Sequence, residues 1–384
     1  MARQHDSRPM MGLWALTLAA LGALVFFVAG PGGSRRASAE APSTVLPPLM
    51  DRETVRAIDR GLTYLANTQR RDGSWSPSGQ YEEYPEVMTS LAALAMLANG
   101  STPESGPYAK NVTKAMDYLI GLGENGPDGL IASGGRSMYG HGFAMLFLAQ
   151  CCGVELDQDT EKRLHKVLTK GIELTAKSQS KMTSRFGKPC GGWYYNPGSN
   201  TDEGSVTVTQ LQALRACRTA GIQVPRVAID NAVEYLRHCQ MPDGGICYAA
   251  NQRSDSRPAI SAAAIACFYA AGIYDRQAGG AGPEAEMVDK LIQYVKKTVR
   301  PDDASGGWSG HYFYTHFYMA SAMYQRGGED WVQYYNAMKP RLLRTQSDGD
   351  GSWTGQGGVG VTFDTAVATM ILQLPYGYLP IWQR

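Results

Sequence analysis

Residues 60–75 read "RGLTYLANTQRRDGSW", and far along the chain the ending returns as "QSDGDGSW" at 346–353. In the first copy Ile58, Leu62 and Leu65 have the spacing of an amphipathic helix, and the stripe stops at a glycine turn. Asp-Gly suits a tight reversal, because Gly tolerates positive φ and Asp bonds its own backbone. The long, uncharged Gln can satisfy free N–H groups at a neighbouring helix start. The Trp can cover that contact while its ring N–H finds an acceptor. The turn therefore reads as a clasp between elements. After Pro85 comes "VMTSLAALAMLANG" (87–100), apolar or small on almost every side. A helix with one wet face is followed by one with none, and the second must be covered on both sides.

The contrast recurs at 112–131 and 138–153, 163–179 and 205–221, 228–246 and 258–272, 287–299 and 311–328, and 331–353 and 363–375. With Tyr64, Tyr118, Leu174, Tyr235, Tyr294 and Leu342 as equivalent points, the steps run from 48 to 61 residues. Six such pairs stack into an open solenoid or close into a ring. An open solenoid needs polar end repeats, and the first and last units here are as apolar as the middle ones. The expected fold is therefore an all-α (α/α)6 toroid over residues 52–384, with six inner helices around a central cavity and no need for strands.

The pattern Gly61-x-x-Tyr64-Leu65-x3-Gln69-x3-Gly73-x-Trp75 resembles the QW repeat of squalene and oxidosqualene cyclases. With it the chain resembles the terpenoid cyclase and protein prenyltransferase toroid superfamily, over about residues 52–381, and the ending "YGYLPIWQR" is similar too. Weaker copies follow. Gln240 keeps the spacing but has Ile246 for Trp, Gln179 stands far from Gly192-Trp193, and Gln346 to Trp353 has one residue more. Trp308, in "SGGWSG", completes the clasp residues. A full-length squalene cyclase has two such domains, and this chain has room for one.

The resemblance implies a DxDD acid, which protonates an alkene because neighbouring carboxylates and hydrogen bonds keep it protonated yet reactive. The nearest stretch is Val361-Thr362-Phe363-Asp364-Thr365-Ala366, with Val361 and Phe363 where two Asp belong. Asp364 is one candidate acid, and Asp202 with Glu203 at the mouth of the third inner helix is the other. Acids at a helix start are equally ordinary dipole-favoured residues. Prenyltransferases hold zinc instead. Tyr312 to Tyr318 resembles their histidine-bearing helix, but Thr315 stands at the ligand position and no Asp-x-Cys accompanies it, so no metal and no cofactor is expected. His141, His311, Tyr312 and His316 open inner helices and are cavity, cap or core candidates. Two further motifs carry nothing: "GQGGVG" (355–360) follows no strand, and "DGDGS" (348–352) is followed by Trp353 where a calcium loop needs Gly. A third reading, an exported carbohydrate-active (α/α)6 enzyme, would draw two facing carboxylates from Glu83, Glu86, Asp202, Glu203, Asp255 and Asp364.

Bulk composition narrows the partners. With 36 Lys plus Arg against 35 Asp plus Glu, the net charge of +1 offers no field for nucleic acid. Arg3 and Arg8 precede the uncharged stretch 12–30, and Ala37-Ser38-Ala39 follows. Residues 1–39 thus read as a signal peptide or an uncleaved signal anchor, with 40–51 a linker, and the body as exported or membrane-anchored. Without residues 1–39 the balance is 32 basic against 34 acidic residues. The seven Cys, odd in number and without CxxC, read as small buried hydrophobes with room for one bridge. The expected ligand is an apolar small molecule.

Overall fold

The computed structural model describes residues 45–76, 84–134, 137–154, 156–303, 311–355 and 359–383. The N-terminal segment, Glu83 and Trp308 lie outside them. Six outer helices carry one buried stripe each: α1 (Arg52–Thr68), α3 (Ala109–Asn125), α5 (Gln158–Ser178), α7 (Arg226–Cys239), α9 (Gly282–Thr298) and α11 (Gly328–Thr345). In α1 the stripe is Thr54, Ala57, Ile58, Gly61, Leu62 and Leu65, and each fully buried Leu contributes about 2 kcal/mol by leaving water. Asp51 caps this helix, accepting from the Thr54 N–H at 2.8 Å.

The inner helices are α2 (Pro85–Leu97), α4 (Ser137–Gln150), α6 (Gly204–Thr219), α8 (Pro258–Ala270), α10 (Tyr312–Arg326) and α12 (Val361–Gln373). They are buried on nearly every side; in α8 every residue from Ala259 to Tyr269 is buried. Each packs on the next, and α12 packs back onto α2, closing the ring. At the seam Gln373 donates to the Ala95 carbonyl at 3.0 Å and Lys339 to Asp51 at 2.9 Å. Gly61 lies there too: a Cβ at this position would sit 2.7 Å from both the Trp353 ring and the Thr369 hydroxyl. The glycine that opens the repeated motif is thus one point of close approach between the last turn and the first helix, and Gly351, 2.7 Å from Arg60 by the same measure, is another.

Four clasps share one geometry. Each Gln Nε2 donates to a carbonyl of its own turn and to one of the next outer helix: Gln69 to Gly73 and Asn111, both at 2.9 Å, and Gln346 to Gly351 and Ala57, both at 2.8 Å. Gln240 reaches Gly244 at 3.1 Å and Met287 at 2.9 Å, and Gln179 reaches Gly191 at 3.0 Å and Ala228 at 2.9 Å. The expected acceptance from free N–H groups is corrected: the amide donates to carbonyls. Trp75, Trp193 and Trp353 each donate their ring N–H into the last turns of the preceding outer helix, to Leu65, Thr175 and Leu342 at 2.7–2.9 Å. Their backbone N–H groups are received by Thr89, Thr207 and Thr365 near the start of the following inner helix, at 3.0–3.1 Å.

Strands do occur, as two antiparallel hairpins. β1 (Met182–Thr183) pairs with β2 (Pro189–Cys190), and β3 (Cys247–Ala249) with β4 (Gln252–Ser256). The first takes up the extra chain between Gln179 and Trp193, which is why that clasp is stretched in sequence yet ordinary in space. All the cysteines are buried except Cys152, which is half-buried. Among the described residues, no helix is long and apolar enough to cross a membrane.

Candidate functional site

The two ends of the inner ring differ. At the C-terminal end the chain folds back into it: Arg215 donates to the carbonyls of Ile381 and Gln383 at 2.8 and 2.6 Å, and the Ile381 N–H donates to Gln150 at 3.3 Å. Trp382 stands edge-on to Phe317, and only about 10 Å³ remains open there. At the N-terminal end lies a cavity of about 520 Å³ to which the first turns of all six inner helices contribute. Its register is regular. Val87, Tyr139, Ile260, Tyr314 and Phe363, each the third residue of its helix, line it, with Ser205 from α6.

Tyr84, Tyr195 and Tyr248 join Tyr139 and Tyr314, so five tyrosines face the space. Tyr84 and Tyr139 meet edge to face at 5.6 Å, the Tyr195 and Tyr248 hydroxyls lie 3.2 Å apart, and the Arg257 guanidinium stands 5.6 Å over the Tyr248 ring. Burial pushes the Tyr139 and Tyr314 phenols well above their ordinary range, so both stay neutral donors. Among the described lining residues there is no carboxylate; the polar groups are Ser205, Gln252, Arg257, His311 and the phenols.

The candidate acids fall elsewhere. Glu203 caps α6, accepting from the Val206 N–H and the Ser205 hydroxyl at 2.6 Å each, and burial raises its pKa against those bonds. Asp202 accepts from the Ala250 N–H at 3.2 Å. Asp255 lies exposed on β4, in an outer groove with Asp243 and Tyr294. Asp364 is buried just behind Phe363; burial raises it to about 7 against one bond from the Gly355 N–H at 2.8 Å. Glu86, equally buried, accepts from Ser133 at 3.1 Å and is raised by burial.

The histidines divide by register. His311, the residue before α10, lines the cavity, and burial lowers its pKa. His141 and His316 are the fifth residues of α4 and α10, two positions past the cavity-facing ones and so on the opposite side of the helix. His141 does in the second turn what Thr89, Thr207 and Thr365 do in the first, third and last. Its Nδ1 accepts the Ile131 N–H at 3.0 Å while Nε2 lies 3.2 Å from the Gly171 carbonyl, and burial lowers its pKa to about 4. His316 lies 3.0 Å from the Tyr334 hydroxyl, lowered by burial to about 3. Tyr312 donates to the Pro301 carbonyl at 2.9 Å, between α10 and α11. Among the described residues, no cluster of three or more His, Cys, Asp or Glu is placed to hold a metal ion.

Residues 141–313 match the family model of the prenyltransferase alpha-alpha toroid domain. The chain is an α-α toroid. Solved structures agree on this fold: the type II terpene cyclase MstE from Scytonema is 14% identical, with 85% of this chain and 99% of that one covered and a TM-score of 0.52. A D-mannose isomerase is 10% identical over 86% and 98%, with a TM-score of 0.60. The GH76A α-1,6-mannanase from Salegentibacter sp. HEL1_6 is 10% identical over 85% and 99%, with a TM-score of 0.59. No curated protein sequence matches the chain. At these identities the likeness is one of toroid architecture, shared by proteins of different chemistry.

Proposed function

We propose that this toroid binds an apolar, isoprenoid-like small molecule in the aromatic cavity at the N-terminal mouth of its inner ring. The observation that carries the reading is the lining itself: about 520 Å³ bounded by five tyrosines, Val87, Met88, Ile260 and Phe363, with no carboxylate among the described lining residues. That volume suits a small-molecule site, and aromatic faces hold an apolar chain by area and dispersion. MstE, spanned almost end to end by this chain, takes geranylgeranyl dihydroxybenzoate as substrate, so one toroid suffices in that protein for an isoprenoid ligand. The test is a titration of purified protein with farnesol and with squalene, read by tyrosine fluorescence. Saturable binding that is weakened in Met88→Trp, which intrudes on the cavity, at an unchanged melting temperature supports the reading; no binding by either ligand sinks it.

A second reading, terpenoid cyclisation, has one observation in its favour: Asp364, raised to about 7, keeps much of its proton at neutral pH. Against it, the side chain of that stretch turned to the cavity is Phe363. Cyclised product from squalene, lost in Asp364→Asn, would replace the binding reading with this one. Glycoside hydrolysis needs two carboxylates facing the substrate, and none of Glu86, Asp202, Glu203, Asp255 or Asp364 lines the cavity. The N-terminal segment supports export, which N-terminal sequencing of the mature protein tests.

A further inference from the structure

The α7–α8 clasp lacks the ring that the others use. Ile246 stands where Trp75, Trp193 and Trp353 stand, so no indole N–H ties this turn to the end of its outer helix. The rest of the clasp is intact: Gln240 makes both of its bonds, and the Ile246 N–H is received by Ser261 at 2.9 Å. Gln240 and Ile246 form an isolated antiparallel bridge, which brings near each other the residues that flank it, Cys239 at the end of α7 and Cys247 at the start of β3. At the three tryptophan clasps the same two places hold Thr68 and Ser76, Ser178 and Tyr194, and Thr345 and Thr354. Both cysteines are buried free thiols whose titrations act on each other, and Cys247 Sγ lies 3.4 Å from the Ala249 carbonyl.

We propose that Cys239 and Cys247 close a disulfide across this clasp, a covalent stitch where the ring is missing. Bridged residues themselves lie within the Cα separations that a disulfide spans, and Cys239 and Cys247 are each one residue from the bridged pair. The thiols are not equivalent. The hydrogen bond from Cys239, and then the nearby Arg253, hold the Cys247 thiol below its ordinary value, while Cys239 is pushed up. Cys247 is therefore the attacking sulfur toward an oxidised low-molecular-weight thiol, RSSR. Its thiolate forms a mixed disulfide and expels one RS⁻. The Cys239 sulfur, giving up its proton, then attacks the Cys247 sulfur and expels the second RS⁻. The two protein thiols lose two electrons, RSSR gains them, and the two thiol protons end on the two RSH. Because both sulfurs are buried, RSSR reaches them through a local opening of the clasp in which Cys239 and Arg253 stay beside Cys247.

The test folds the full chain in a mixture of reduced and oxidised glutathione, alkylates the remaining thiols and maps the peptides by mass. The expected result is a cross-linked Cys239–Cys247 peptide two hydrogens lighter than its reduced form. With it comes a melting temperature about 5 °C higher than under reducing conditions. That rise should vanish in Cys239→Ser and persist in Cys152→Ser. Folded protein in which both sulfurs are alkylated, or in which Cys247 is joined to Cys190 or to glutathione, overturns the proposal, as does a cross-link that leaves the melting temperature unchanged. The mapping requires no variant to fold.

Discussion

The same six helices end in opposite ways. At their C-terminal ends the ring is filled by the returning chain, with Ile381 and Trp382 inside and about 10 Å³ left; at their N-terminal ends about 520 Å³ stays open. Packing alone gives no reason for the difference, since apolar helices close up wherever a side chain can fill the gap. What distinguishes the open end is that, among the described residues, the first turns of α2, α4, α6, α8 and α12 have work on both sides. Inward, position three presents Tyr139, Tyr314 or Phe363; outward, position four or five holds the incoming clasp through Thr89, His141, Thr207, Ser261 or Thr365. The clasps fix the rim from outside, so the rim cannot collapse inward.

If that account is right, the largest effect follows from removing a clasp ring. Trp75→Ala should lower stability by about 3–5 kcal/mol, because it leaves a large cavity and removes the indole donor to the Leu65 carbonyl. Trp382→Ala at the filled end should cost about 2 kcal/mol, since a terminal segment relaxes into the space more easily. Urea denaturation of the two variants measures both numbers. A larger loss at Trp382 would make the tail, and not the clasps, the support of the ring.

A smaller effect separates Asp364 from the caps. Its folded-state pKa, about 7, is raised above the ordinary carboxylate value of 3.8. Its contribution to stability is thus fully present below about pH 4 and is lost as pH rises toward 7. Asp364→Asn should be neutral near pH 4 and stabilising on the order of 3 kcal/mol at pH 8, as an amide can accept from Gly355 without ionising. The histidines bend the other limb. His141 and His316, lowered to about 4 and about 3, contribute stability above pH 6.5 that is lost as pH falls through those values. Equal stabilisation by Asp364→Asn at both pH values would mean that the carboxyl is not held protonated by burial.

The clasps were legible because their spacing is local: Gln, turn glycine and Trp lie within a few residues, and the ring follows from six amphipathic and apolar pairs. Gln179 was hidden by the hairpin inserted between it and Trp193. The histidines stayed open between cavity, cap and core for a different reason. Proximity to a helix start is visible in sequence, but which face a residue takes depends on the helix's first residue, and a shift of two positions turns the side chain by more than half a circle. With α4 beginning at Ser137, Tyr139 faces in and His141 faces out. Of the cavity tyrosines this register gathers only Tyr139 and Tyr314; Tyr84 precedes α2, Tyr195 lies in the loop before α6 and Tyr248 on β3, where only the folded chain brings them together.

The finest distinction concerns what the open end is for, and the Tyr195–Tyr248 hydroxyl pair addresses it. Tyr195→Phe removes one hydroxyl of a 3.2 Å contact at the rim and should change stability by under about 1 kcal/mol. An apolar ligand makes no hydrogen bond there, so its affinity should stay within about twofold or tighten slightly, a difference below about 0.5 kcal/mol. A sugar would use the phenols as donors and acceptors, and losing one should weaken it about tenfold. Calorimetry with squalene and with an oligosaccharide, on the parent and on Tyr195→Phe, therefore tests the open end directly. A tenfold loss for the sugar beside silence from the isoprenoid would make the mouth a polar site framed in aromatics, and the contrast between the two ends would then be one of hydration as well as of filling.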